Sequence, residues 1–316
     1  MKKILLTWAK GMLGTDFIKH FGDKFEIFPL DRNNGDITNM ESMDILVQNN
    51  RPDLIVNFAA YTNVEDAEDP GMKTNFDVNA LWAYNLAKIS AKYSIDLITI
   101  STDYVFDGTK KEWYTEEDVP NPINSYGMAK YLWEKLVKQE NPDSIIIRTS
   151  WLYWWGKEFK NFVNTMLRLS ETKKELKVVN DQFGSPTYTV DLSGAIVKVI
   201  DEIENYRWKI LHFCDQTEEN WITWFEFAQE IFKQIPPTPL SPAKLDWSQG
   251  GNKGISLVPC SSEEFPTKAK RPKWSKLVNP EVSRAGRSEV RLRDWKEGVK
   301  EYFKDINSTW NRYTDI

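Results

Sequence analysis

The chain has 316 residues, 41% hydrophobic and 28% charged, a formal net charge of −5, two cysteines and two histidines. That length buries a useful core in one large domain or two intimate ones, and the composition is that of a folded globular protein, not a disordered one. Cys214 and Cys260 cannot build a disulfide framework or a four-thiolate metal site, and His20 and His212 exclude multi-histidine zinc motifs and leave little room for a Ser-His-Asp triad. The acidic balance carries no nucleic-acid footprint, and no apolar run approaches the roughly 18 residues that span a bilayer.

The opening apolar stretch ends after Leu6, which fits a buried first strand better than a signal peptide. The pattern predicts strands at Lys3–Thr7, Glu26–Leu30, Leu54–Phe58, Asp96–Ser101 and Ser144–Arg148. Helices are predicted at Gly11–Phe21, Met40–Gln48, Phe76–Tyr93 and Tyr126–Gln139. Short β-branched or Leu-rich strands alternating with amphipathic helices indicate βαβ units, a parallel sheet and right-handed crossovers, hence an α/β doubly wound sheet. After Trp151 the rhythm changes. A helix is expected over Phe159–Ser170, a short strand at Lys177–Val179, a helix over Val190–Asn205 packing back on the sheet, and a closing helix at Leu292–Phe303. Pro236–Lys276 reads as loop with short elements. The expected organisation is a nucleotide-binding domain, 1–150, with 177–206 returning to it, and a smaller, irregular substrate-binding domain, 151–316.

The first strand runs into Thr7-Trp8-Ala9-Lys10-Gly11-Met12-Leu13-Gly14. A strand, a glycine turn and a helix N-terminus form an anion site, because free amides and the helix dipole face a phosphate. Gly11 and Gly14 occupy the last two places of a G-x-x-G-x-x-G triplet, and Trp8 stands at the first. Taken alone, a plain βα turn is as good a reading. Asp31, at the end of the second strand, suits a ribose hydroxyl, with a turn or cap Asp as the bland alternative. Tyr126-Gly127-Met128-Ala129-Lys130 places a phenol and an ammonium on one helix face, where the cation is expected to lower the Tyr pKa toward the working range. Tyr-x-x-x-Lys alone is common as a surface pair. Here it follows the fourth strand, whose tip carries Thr102, and open α/β sheets bind ligands beyond strand C-termini. Thr102, Tyr126 and Lys130 together form a proton-transfer set.

These residues resemble the extended short-chain dehydrogenase/reductases, which have a Rossmann-like fold, and within them the dTDP-4-dehydrorhamnose reductase family. The resemblance is carried by Arg51–Thr62, Ser101–Gly108, Asn121–Gly127, Arg148–Tyr153, Asn161–Arg168, Asp181–Thr187 and Arg271-Pro. It implies that Gly11, Met12, Leu13 and Gly14 contact the phosphates of NADPH or NADH. It implies further that Asp31, Asp36 and Ile37 hold its adenosine side, and that Ala60, Tyr61 and Thr62 line it. Tyr126 would be the proton donor and Lys130 its modulator and a ribose ligand. Thr102 and Asp103 would hold the sugar, Trp151 would stack on it, and Arg271 would bind the diphosphate. The implied reaction reduces the C4 ketone of a dTDP-6-deoxy-4-hexulose in the cytoplasm, with no nucleic-acid or membrane partner; a homodimer is left open. The glutamate with which some members hold magnesium is not evident near Thr15-Asp16, so no metal is expected. The tip reads Thr102-Asp103-Tyr104 where sugar-nucleotide dehydratases carry Thr-Asp-Glu, which argues against that class.

Two counts are odd: tryptophan is frequent, at 14, and glycine scarce, at 15, where average usage would give roughly 22. Trp8, Trp82, Trp133, Trp154 or Trp155, Trp208 and Trp221 fall where relatives show glycine or another small residue. A gene in which UGA encodes glycine, translated with UGA as tryptophan, accounts for both counts. Trp8 also motivates a rival expectation, a non-catalytic regulatory or scaffolding relative with impaired cofactor binding.

Overall fold

Alternation within the strands decides the layering. In β1 (Lys2–Thr7), Ile4 and Leu6 enter one core and Leu5 the other, as the two-residue period of a strand requires. A computed structural model describes residues 1–31, 39–154, 156, 160–217, 222–234, 255–278 and 290–313, with side chains to Ile306. Within it β1 joins β2 (Phe25–Leu30), β3 (Leu54–Asn57), β4 (Asp96–Thr102), β5 (Ile145–Thr149) and β10 (Ile210–His212) in one parallel sheet of order β10-β5-β4-β3-β1-β2. β3 and β5 are buried along their whole length, as strands covered on both faces must be.

One face is covered by α1 (Met12–Phe21) and α7 (Thr189–Asp201) through Leu13, Phe17, Leu192, Ile196 and Ile200. The other is covered by α2 (Met40–Asn50), α4 (Trp82–Tyr93) and α5 (Ser125–Glu140) through Met43, Val47, Leu86, Ile89 and Val137. The sheet is doubly wound, and its order turns between β1 and β3, the place where such sheets bind ligands. A separate core gathers α6 (Phe162–Ser170), α8 (Trp224–Gln234) and α9 (Trp295–Tyr313) around Val163, Phe227, Ile231, Val299 and Tyr302. Short pairings complete it: β6 (Leu152–Tyr153) with β9 (Thr187–Tyr188), β8 (Phe183–Gly184) with β11 (Ile222–Thr223), and β7 (Glu175–Val179) with β12 (Ser256–Cys260).

Three elements differ from expectation. The helix predicted over Phe76–Tyr93 starts earlier, as α3 (Met72–Phe76), and passes through a π-helical stretch, Asp77–Leu81, before α4. β10 is a sixth strand, too short to stand out in the sequence. Pro236–Lys276, expected as loop with short elements, contains the short strand β12, whose parallel pairing with β7 was not foreseen. Asp36, Ile37, Trp155, Trp221 and 235–254 lie outside the described residues.

α1 is tied to the second half through Asp16. This buried carboxylate accepts hydrogen bonds from the Trp154 indole and the Thr189 hydroxyl. Burial pushes it up to about 7 despite those bonds. A folded-state value above the unfolded one means proton uptake on folding between about pH 7 and 4, so this group adds stability as pH falls through 7 and costs stability above it. Asp16→Asn, neutral throughout, is expected to have a higher urea midpoint than the parent at pH 8.5 and no advantage near pH 4. A pH-independent difference would overturn this account.

Candidate active site at the strand tips

β1 ends in a turn that packs backbone against backbone. A Cβ on Gly14 would meet the Trp8 carbonyl oxygen at 2.6 Å and Ala9 Cα at 2.8 Å, so only glycine lets α1 start this close to the strand. Gly11 caps α1 without a side-chain bond, which leaves first-turn amides directed at the space beyond β1. Met12 is half-buried beside Asn161, and Leu13 is core. The backbone therefore fits a diphosphate. Trp8 does not. Its indole Cδ1 would be 2.2 Å from a Cβ on Gly11, so the ring lies over the turn, and it touches both sheet cores at the switch point. Its φ is +55°, the left-handed region that costs a non-glycine residue about 1–2 kcal/mol.

Asp31 reaches this crevice from β2 and pairs with Lys10. The loop after β3 is held from outside by buried amides as well as by its own residues. Asn79 accepts from the Tyr61 amide at 3.0 Å, donates to the Tyr61 carbonyl at 2.8 Å, and reaches Asn75, which donates to the Ser125 carbonyl at 2.9 Å. Ala60 is half-buried, Thr62 exposed, and the Tyr61 hydroxyl donates to Asp66. Asn75 and Asn79 were not singled out from sequence; their four-residue spacing was the available signal. They join the cofactor side of the crevice to the start of α5.

α5 starts where it does because Asn124 caps it, accepting from the Gly127 amide at 2.7 Å. Gly127 is required there, since a Cβ would meet the Tyr104 carbonyl oxygen at 2.1 Å. This places Tyr126 beside Thr102 at the β4 tip, where its ring stands edge-on to Tyr104, with ring centroids 5.8 Å apart. Lys130, one turn on, is buried, donates to the Ile100 carbonyl at 2.5 Å and lies 3.7 Å from the centroid of the Trp133 ring. The structure thus brings Tyr126 to Thr102 and leaves Lys130 one turn along α5, on the Ile100 carbonyl. It corrects the expected titration: burial raises Tyr126 above the usual phenol range, and burial pushes Lys130 down to about 7. Lys130 answers to the Ile100 carbonyl, not to the phenol.

On the substrate side, Thr102 donates to Asp103 at 3.0 Å. Asp103 is buried, is pushed up to about 6 by that burial, and keeps one carboxylate oxygen without a hydrogen-bond partner. Trp151 sits at φ +47° over Gly184, and its ring stacks on Trp224 at 3.5 Å, so an indole already covers one of its faces. Arg271 donates to the Tyr104 hydroxyl at 3.0 Å and to Glu65 at 2.7 Å. It reaches the strand-tip cluster, but through Tyr104, with Glu65 as its counter-ion.

A dinucleotide crevice at the switch point, with a Thr-Tyr-Lys set on its rim, defines a nicotinamide-dependent oxidoreductase of the short-chain dehydrogenase/reductase class. Residues 1–308 match the family described as RmlD substrate binding domain, and the chain belongs to that family. It is 34% identical to the spore coat polysaccharide biosynthesis protein SpsK of Bacillus subtilis (strain 168), covering 98% of this chain and 99% of the relative. A crystal structure of a dTDP-4-dehydrorhamnose reductase from Clostridium acetobutylicum superposes with a TM-score of 0.84 at 38% identity, over 96% of this chain and 99% of that one. The dTDP-4-dehydrorhamnose reductase of Bacillus anthracis, solved in complex with NADP, gives 0.83 at 35% identity, over 96% and 100%.

The tryptophans at small-residue positions differ in cost. Trp8 and Trp208 have left-handed backbones, with φ of +55° and +62°, and Trp208 is 62% exposed. Trp133 is wholly buried with its indole N–H unpaired. Trp151, Arg51 and Ser94 also have positive φ, so that sign alone marks nothing. The close approach at Trp8 and the unpaired donor at Trp133 are what set those two apart. Trp208→Gly is expected to stabilise the chain by about 1 kcal/mol, measured by urea unfolding, and the codons at positions 8 and 133 are expected to be UGA. UGG at codon 8 would overturn the recoding.

Proposed function

We propose that the chain reduces the C4 ketone of dTDP-4-dehydro-6-deoxy-L-mannose to dTDP-L-rhamnose with NADPH or NADH, in the cytoplasm, for surface-polysaccharide precursors. The observation that carries this reading is the buried Tyr126 beside Thr102, with Lys130 one turn away, in a chain whose similar structures are dTDP-4-dehydrorhamnose reductases. The nicotinamide, when bound, supplies the hydride. Tyr126, kept protonated by burial, gives its proton to the C4 oxygen, and Thr102 holds that oxygen and the phenol in line. Lys130 reaches the ribose and the phenol by leaving the Ile100 carbonyl. Gly11, Met12, Leu13 and Gly14 take the phosphates, Asp31 the adenosine ribose, and Ala60, Tyr61 and Thr62 line the cofactor.

Asp103 offers its unpaired oxygen to a sugar hydroxyl, and the Trp151–Trp224 stack walls the sugar. Arg271 exchanges Glu65 for the diphosphate. This reading assigns the cofactor to residues 1–150 with 177–206, and the sugar mainly to 151–316. No helix among the described residues is long and apolar enough to cross a membrane.

A second reading, a regulatory or scaffolding relative without turnover, is favoured by one observation, the Trp8 indole over Gly11. NADPH titrated into the chain and into Trp8→Gly, read by indole-to-nicotinamide energy transfer, separates the two. The glycine variant is expected to bind at least about tenfold more tightly; no binding by either folded protein would favour the second reading. In whichever form binds, Tyr126→Phe is expected to lower kcat by about 100-fold or more with KM little changed. Unchanged turnover would sink the proton-donor role.

A further inference from the structure

α5 presents a third buried polar residue beyond Tyr126 and Lys130. Glu134 lies one further turn along the same face and is 3% exposed. One of its carboxylate oxygens accepts from the Ser101 hydroxyl at 2.6 Å and from Arg148 Nε at 2.9 Å; the other accepts from Arg148 Nη2 at 2.7 Å. Arg148, on β5, turns Nη1 to His212 Nε2 at 3.3 Å and lies over the Phe106 ring. His212 Nδ1 faces the carbonyls of Tyr114 and Val278 at 3.2 and 3.1 Å. Carbonyls only accept, so Nδ1 carries the proton and Nε2 accepts from the guanidinium. Burial and then Arg148 push His212 down to about 3, which keeps it neutral. Every member of this network therefore has a defined role and partner.

We infer that Glu134 is a positioning residue: its carboxylate, held by Ser101 and Arg148, locks α5 against β4 and sets the charge one turn from Lys130. The lock is geometric. Ile100, Ser101 and Thr102 are consecutive on β4, and they meet Lys130, Glu134 and Tyr126 respectively. The field is local. Burial strips charge from Lys130, and Glu134 is the charge that opposes this. Around Lys130, β4 contributes Asp103 and Tyr104 at its tip, and β5 contributes Arg148, which is already paired with Glu134. The π-helical stretch and α3 contribute the neutral Asn75 and Asn79, while Asp77 turns outward to Lys73. The importance of an ammonium at Lys130 rests on the proposed reductase reading; its dependence on Glu134 does not.

The test titrates Lys130 directly. In a chain labelled with 13Cε-lysine, Lys130→Gln identifies the resonance, and its midpoint is read in the parent and in Glu134→Gln. A carboxylate at this range raises a neighbouring cation's pKa, so its loss is expected to lower the midpoint by about one pH unit. Leaving Arg148 unpaired could unfold the single variant. Glu134→Gln/Arg148→Met removes both charges and is expected to show the same downward direction. An unchanged midpoint in either folded variant overturns the inference. In the form that turns over, the alkaline limb of kcat is expected to move down with the resonance while KM holds. If Tyr126→Phe retains full turnover, the reductase reading fails while the Lys130 titration still decides the role of Glu134.

Discussion

Three consecutive β4 residues meet three α5 side chains spaced one turn apart, inside an interface that is otherwise apolar. Ala83, Leu86 and Val137 pack beside this seam, and apolar packing alone tolerates small slides of a helix along a sheet. The buried Glu134–Arg148 pair does not. Moving α5 by one residue would separate the carboxylate from Ser101 and Arg148 and leave two charges buried without partners, a loss on the order of 3–5 kcal/mol. The seam adds little net stability to the fold. It selects one register, and that register brings the Tyr126 phenol to Thr102. Site geometry here follows from the cost of unpaired charge rather than from tight packing.

The opposite side of the crevice is organised by backbone, not by charge. Gly14 and the Gly11 cap let α1 start against β1, and Asn79 brackets the Tyr61 backbone so that the loop after β3 stays near the switch point. These devices work by close approach, and so they are sensitive to bulk. An indole at position 8 leaves the fold intact, because it can rest against both cores, yet it occupies the side of the turn that first-turn amides face. One substitution can therefore separate fold from ligand access.

Much of this was legible in the sequence where the signal is local. Short β-branched or Leu-rich runs between helices marked β1 to β5, and the Tyr126–Lys130 spacing marked one helix face. β10 was missed because three residues, Ile210–His212, carry no period of their own. That the short element in Pro236–Lys276 is the strand β12 was not readable because Pro259 interrupts it and its partner β7 lies some eighty residues earlier. The π-helical stretch has no signature beyond the Asn75–Asn79 spacing. Electrostatics were the least legible. Spacing suggested that Lys130 lowers Tyr126, whereas burial raises the phenol and lowers the amine, and burial is decided by residues far away in the chain.

The Arg271 contacts show why the second half must be present for the rim to be complete. Tyr104 follows the β4 tip and stands edge-on to Tyr126, and its hydroxyl takes a hydrogen bond from Arg271, 167 residues later in the chain. Asn124, the cap of α5, donates to the Lys270 carbonyl at 2.8 Å. The segment carrying Arg271 thus touches both the residue that caps the helix and the ring that packs on the phenol. Glu65 is the guanidinium's counter-ion. A diphosphate drawing Arg271 from Glu65 would pull on the same segment that holds Tyr104 and Asn124. Charge on such a ligand would in this way be connected mechanically to the position of Tyr126, through two hydrogen bonds and one aromatic contact.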